Sequence, residues 1–312
     1  MTPGYEALAH GTGILDLSDR GRIRVTGEDR ARLLHALTTN HVQQLKPGEG
    51  LYAFFLNAQG RILADVYVLC FEDHFLLDTE PAVRTALYQH LDHYIIADDV
   101  TLEDVTEQTF CLGVEGPKAT DVAQAAALPA PNHQYGNALW GELCSAAISF
   151  TGAPAARIYG PRAHREETIR KLEAAGAIAA APEDAEPIRL QHFKPRYGTD
   201  ITESSLPQET QQMHALHFQK GCYLGQEIVE RIRSRGHVNK QLMGFHLEGH
   251  EVPAPDTKLF TGGKEAGEVT SAALSPEGKV FGLAYVRVPA NKPGTVVGID
   301  GRPAELVAPA VS

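Results

Sequence analysis

The sequence predicts an α+β protein: two mixed strand–helix portions followed by a small all-β barrel. Three observations carry this. From Arg22 to Ala175, short β-like runs and amphipathic runs alternate through two rounds, the order expected of split-βαβ layers. From Leu242 onward, the brief runs MGFHL, AGEVTSAAL, VFGLAYVRV and VVGI are separated by Gly, Pro and Asn turns, which reads as a barrel. A chain of 312 residues also exceeds the usual size of one core.

In order, IRV from Arg22 opens with a strand, and Asp29 to Leu37 follows as a helix with Leu33, Leu34 and Leu37 at helical spacing. LYAFFL and RILADVYVL read as a hairpin joined through Asn57 to Gly60. Phe75 to Leu77 is a further strand, and Pro81 starts a helix running to about Tyr94, since proline is tolerated in a first turn. The second round has strands near Thr101–Val105 and Thr109–Val114 and a helix after Pro117. Strands near Ala138–Leu143 and Ala146–Phe150 follow, then a helix from about Ala163 to Ala175. AAGAIAAAPEDAEP, from Ala174 to Pro187, reads as a connector.

Composition narrows the function classes. Hydrophobic content of 43% and charged content of 21% are those of a soluble globular chain. A formal net charge of -11 argues against wholesale nucleic-acid binding, leaving Arg231 to Lys240 as the one basic patch. No stretch approaches the roughly 18 apolar residues of a spanning helix, and no membrane partner is expected. The start, MTPGYEALAHGTG, has no signal-peptide pattern, so the cytoplasm is expected.

The most unusual stretch is KGCYLGQEIVERIRSRGHVNK, from Lys220 to Lys240. On a helical turn Gly221 and Gly225 would share a face open to close approach, with Cys222 and Gln226 on the neighbouring one. Arg231, Arg233 and Arg235 have the period of a strand, which would aim three guanidinium groups to one side as an anion site. Cys222 is the reactive candidate, with Lys220 and these arginines lowering its pKa if they fold near it. Cys70, Cys111 and Cys144 lie in apolar runs and read as small core residues, and no C-x-x-C pair is present. His90 with His93, and His214 with His217, stand three apart but lack a third ligand nearby in sequence, so no metal site is expected. Gly11 with Gly13, and Gly262 with Gly263, are turn signals.

Lys220, Gly221, Cys222, Tyr223, Gly225, Gln226 and Glu227 together resemble the K-G-C-Y-x-G-Q-E signature of YgfZ-type folate-binding proteins. That family assists assembly or repair of iron–sulfur enzymes and is related to the glycine-cleavage T-protein. TTNHVQQLKPGEGLYAFFLNAQGRILADVYVL and PRYGTDITESSLPQE resemble the same superfamily, so the likeness covers nearly the whole chain. It implies a T-protein-like fold, with two interleaved α/β portions around a central folate cavity and a C-terminal β-barrel. The corresponding division is 1–105 with about 188–236, then 106–187, then 237–312.

The resemblance also implies tetrahydrofolate or a derivative as ligand, and iron–sulfur client enzymes or assembly proteins as partners. RLQHFKPRYGTD looks like the T-protein segment R-L-E-A-G-x-x-x-Y-G-x-D, which puts Arg189 and Tyr197 at folate-contacting places, with the arginine row reaching the folate's glutamate tail. Three departures are visible: Gln191 replaces a glutamate, Ala153 and Arg157 stand where carboxylates would hold the pterin, and the catalytic aspartate's place falls near Arg84, with Asp78 and Glu80 close by. The expectation is a folate-binding accessory factor without classical enzyme activity, acting through Cys222. The alternative is a folate-dependent aminomethyl transferase; a thiol-redox enzyme would lack a resolving cysteine.

Overall fold

A computed structural model describes residues 2–131 and 133–309. Within them the chain forms two sheets and a closed barrel. The five-stranded sheet has the order Gly50–Leu56, Ile62–Cys70, Phe75–Thr79, Gly21–Thr26, Thr101–Asp104. The six-stranded sheet has the order Ile178–Ala180, Gly13–Asp16, Thr109–Glu115, Ala155–Pro161, Leu143–Ala146, Asn137–Trp140. The barrel closes in the order Lys240–Leu247, Val280–Arg287, Lys264–Leu274, Lys258–Thr261, Val296–Ile299, Arg302–Val307. This is the α+β architecture with a C-terminal barrel that the sequence predicts. Gly13–Asp16 pairs antiparallel with Thr109–Glu115 and parallel with Ile178–Ala180. The division at residue 105 is therefore retained as a proposal, in which the first portion lends a strand to the second sheet.

One apolar core runs through the first sheet and into the second: Phe54, Cys111, Ala146 and Tyr159 belong to it, and so do Phe55 and Val68 on the first sheet's other face. A separate core, including Phe245, Leu259, Val286 and Leu306, fills the barrel, which is why it closes as its own unit. The LYAFFL and RILADVYVL strands pair antiparallel, Tyr52 opposite Tyr67 and Phe54 opposite Asp65. Since side chains alternate along a strand, Tyr52, Asp65, Tyr67 and Asp78 project from one face.

Four expectations are corrected. Ala174 to Pro187 is not a plain connector: it holds the strand Ile178–Ala180 and most of the helix Pro182–Gln191, whose first turn is anchored by Asp184 accepting from Ala181 N at 2.9 Å. The strands expected near Ala138–Leu143 and Ala146–Phe150 sit earlier, at Asn137–Trp140 and Leu143–Ala146. The segment Gln226–Arg235 is a helix rather than an arginine strand. Gly221 and Gly225 do not share a helical face; they take φ of +94° and +81° in a turn ahead of that helix. A side chain at Gly225 would meet the carbonyl of Asn57 at 2.5 Å, so the turn requires glycine there.

Candidate functional site

The central cavity opens where the two sheets face each other, and Tyr52, Asp65, Tyr67, Glu80, Arg20, Arg157, Phe150, Lys194, Arg196 and His214 are among the residues lining it. Asp78, fully buried behind this wall, ties the sheets together. It accepts from Arg20 Nε at 2.6 Å on its own sheet's side, and from Arg157 at 2.9 Å and the Tyr159 hydroxyl at 2.5 Å across the interface. Burial pushes the Asp78 carboxyl up, but Arg20, Arg157 and Tyr159 outweigh it and hold the group at about 2. Arg20 also pairs with Glu80, which in turn takes Arg196 at 2.9 Å. The guanidinium groups of Arg20, Arg157 and Arg196 are thus already committed to carboxylates of this cluster.

Asp65 behaves differently. One of its oxygens accepts from the Tyr52 hydroxyl at 2.8 Å, and the other, buried at the cavity wall, has no hydrogen-bond partner. Burial first, and then the Glu80 carboxylate, push its pKa up to about 6. A carboxyl that titrates near neutrality, with one free oxygen, is equipped to take or give a proton or to balance a cationic group of a ligand. Around it, Tyr52 stacks on His214 at 5.3 Å between centroids, and the Arg157 guanidinium lies 5.1 Å over the Tyr67 ring, so aromatic rings and charged groups share the wall. Glu115 shapes the opposite wall by accepting from Thr151 N at 2.8 Å, Thr151 Oγ1 at 2.5 Å and Ser149 Oγ at 3.2 Å, which fixes the loop carrying Phe150.

Of the residues singled out from sequence, Arg189 reaches this cavity, but as a brace. Its buried guanidinium binds Glu186, Asp200 at 2.7 Å, the Lys194 carbonyl at 2.6 Å and Ser271 of the barrel at 3.3 Å. Tyr197 is buried and donates to the Leu63 carbonyl at 2.7 Å; it is not among the lining residues. Arg84 stands apart, paired with Asp104 and Glu107, while Asp65 and Glu80 place carboxylates at the cavity wall. Of the positions near the expected aspartate, Glu80 lines the cavity and Asp78 is buried behind its wall, whereas Arg84 is turned away from it. Ala153 is buried, and Arg157 is a wall residue held by Asp78.

The arginine row does not converge on the cavity. In the helix Gln226–Arg235, Arg231 and Arg235 share a face and line a surface groove with Glu209 and His237. Arg233 faces the other way, over the Phe218 ring at 4.5 Å. Most of the Lys220–Glu227 motif is a clasp. Buried Lys220 donates to the carbonyls of His35 and Thr38 (the latter at 2.7 Å), so a cation caps the C-terminal end of the helix Arg30–Leu37. Burial pushes its ammonium down to about 7, opposed by an interaction with Cys222. Tyr223 lies 4.6 Å from that ammonium and its N–H donates to Gln226 at 3.1 Å. Cys222 is left exposed at the tip, whereas Cys70, Cys111 and Cys144 are buried, and burial pushes their thiols up to about 11, 12 and 12. Cys222 should accordingly be alkylated first, and Cys222→Ala should change stability by no more than about 0.5 kcal/mol, as for other surface substitutions. Mass-resolved alkylation with a melting scan checks both; slowest labelling at Cys222 would refute the placement.

Sequence reasoning missed Asp65, Lys194 and His214 as wall residues. The signal for Asp65 was present: it is the one carboxylate within an otherwise apolar strand, ILADVYVLC.

The profile of the GCVT N-terminal domain matches residues 3–220, and that of the glycine cleavage T-protein C-terminal barrel domain matches residues 240–311. An aminomethyltransferase of Rubrobacter xylanophilus is 30% identical over 307 residues, covering 96% of this chain and 82% of the relative. A putative chloroplastic transferase of Arabidopsis thaliana is 26% identical, covering 94% and 69%. The crystal structure of glycine cleavage system aminomethyltransferase T from Bartonella henselae superposes with a TM-score of 0.88 at 20% identity, covering 99% of this chain and 88% of that one; at this identity the likeness concerns the fold. The two domain matches together span nearly the whole length, and the chain belongs to the glycine cleavage T-protein family.

Proposed function

We propose that the central cavity binds a reduced folate and that the protein handles a one-carbon unit there, in the manner of the aminomethyltransferases to which it is similar. The observation that carries this reading is Asp65: a buried carboxyl raised to about 6, oriented by Tyr52, with one oxygen free at the wall of an aromatic cavity. The cavity suits the group chemically. A pterin would meet the rings of Tyr52, Tyr67 and His214 in this wall, and its several ring donors and acceptors would find an acceptor in the free oxygen of Asp65 and a donor in Lys194. A reduced folate carries one-carbon units on its ring-side amine nitrogens. The chain's own part is to hold the ligand between aromatic walls, to exclude water, and to hold or move a proton at Asp65.

A titration with tetrahydrofolate combined with an aminomethyl-transfer assay tests this. Saturable binding with turnover supports it, and binding without turnover would replace it by the second reading.

That second reading is a folate-binding accessory factor for iron–sulfur enzymes, acting through Cys222 on client enzymes or assembly proteins. The exposure of Cys222 at the tip of a rigid clasp favours it, together with the resemblance of Lys220–Glu227 to the YgfZ signature. Its mark would be loss of iron–sulfur enzyme activity in cells carrying Cys222→Ala, with Asp65→Asn silent. The cytoplasm is the proposed location, in keeping with four free cysteines; no helix among the described residues is long and apolar enough to cross a membrane.

A further inference from the structure

Charge pairing in the cavity leaves one cation over. Arg20, Arg157, Arg189 and Arg196 each have a carboxylate partner. Lys194 has none: its side chain lines the cavity, the residue is 8% exposed, and among the described residues neither an ion pair nor a hydrogen bond holds its ammonium. A lysine is seldom buried unless it is paired.

The backbone shows that this placement is built rather than incidental. Lys194 N donates to the Arg189 carbonyl at 3.0 Å, and Arg189 returns a bond to the Lys194 carbonyl at 2.6 Å. Arg189 is itself pinned by Asp200, which accepts from Thr270 and Ser271 of the barrel at 2.6 and 2.5 Å. Phe193, at a φ of +48°, swings the chain around so that its ring packs on the barrel. A side chain at Gly244 would meet that ring at 2.4 Å, so the barrel leaves space for it. Barrel and helix together thus clamp the cavity-lining cation that, among the described residues, has no ion pair or hydrogen bond of its own.

We propose that Lys194 is a specificity-determining residue that donates to an oxo oxygen on the ligand's heterocyclic ring, selecting 4-oxo pterins over 4-amino analogues. The inference rests on the folate reading above. Asp65 and Glu80 line the same cavity, so a dianionic glutamate tail brought to Lys194 would face their repulsion, whereas a neutral carbonyl needs only one donor. The groups facing the ammonium are Glu115, Asp65, Arg157, Arg20 and His214, and burial brings it down to about 8. It is therefore charged at neutral pH and available as the stronger kind of donor.

The test compares three ligands on the full chain by calorimetry: tetrahydrofolate, a tail-less tetrahydropterin, and a 2,4-diamino tetrahydropteridine. Wild type is expected to prefer the oxo ligands, with the preference shrinking above pH 9. Lys194→Met should weaken both oxo ligands by about 10- to 100-fold, the range for bonds to charged groups, while leaving the diamino ligand unchanged or improved. Lys194→Gln, a neutral donor, should recover part of the loss, and serves instead if Lys194→Met fails to fold. A loss seen with tetrahydrofolate but not with the tail-less pterin would assign Lys194 to the tail and overturn the proposal, as would equal losses for oxo and diamino ligands. Absence of binding by wild type to any of the three would reject the folate reading itself.

Discussion

Asp65→Asn is expected to lower one-carbon turnover by about 10²- to 10⁴-fold, the usual contribution of a positioned acid–base group, while tetrahydrofolate still binds. Asparagine keeps the shape and can still accept from Tyr52, but it cannot carry the proton. The same substitution should stabilise the fold at neutral pH. In the folded chain burial and Glu80 raise this carboxyl from 3.8 to about 6, so the folded state binds its proton more tightly than the unfolded state does. The stabilisation from that proton is complete below about 3.8 and is lost as pH rises through 6. The variant escapes this loss, so above pH 6 it should unfold about 1–3 kcal/mol harder than wild type. Denaturant melts at pH 5 and pH 8, beside a transfer assay, measure both effects. Full turnover in Asp65→Asn would show that the transfer does not use a proton held at Asp65.

Asp78→Ala is expected to be the most damaging single change, costing about 3–5 kcal/mol, because it leaves the buried Arg20 and Arg157 charges without a shared partner. Ligand binding should fall with stability, since both arginines are walls of the cavity. The linkage has the opposite sign to that of Asp65. The folded-state pKa is depressed to about 2, so this carboxylate's contribution is present above 3.8 and lost as pH falls toward 2. Wild type should lose stability on acidification through that window, and the variant should lose correspondingly less. A cost under about 1 kcal/mol would show that the sheets are held by packing alone.

What was legible in the sequence follows the range of the interactions concerned. LYAFFL and RILADVYVL could be read because each strand's pattern is local, and the barrel because its runs are short and punctuated. The helix Gln226–Arg235 was obscured by alternating arginines, although Ile228, Val229 and Ile232 stand at helical spacing between Gly225 and Gly236. The strands Ala155–Pro161 and Ile178–Ala180 were hidden by small residues that carry little periodicity and owe their state to neighbours distant in sequence. At the site, the lone carboxylate of ILADVYVLC was a readable signal. Lys194 was not, because its position depends on Arg189, Asp200 and the barrel together. Arg189 was placed as a ligand contact only by the resemblance of its segment to the T-protein's, whereas its four partners make it a brace of the cavity wall.

The most direct test of the central claim, that the cavity between the two sheets takes a reduced folate, is hydrogen–deuterium exchange with and without tetrahydrofolate. Saturable protection is predicted in the loops carrying Ser149 and Phe150, Lys194 to Arg196, and Gln212 to His214, with the barrel strands far from the cavity unchanged. No protection at saturating ligand, or protection confined to the groove of Arg231 and Arg235, would contradict it.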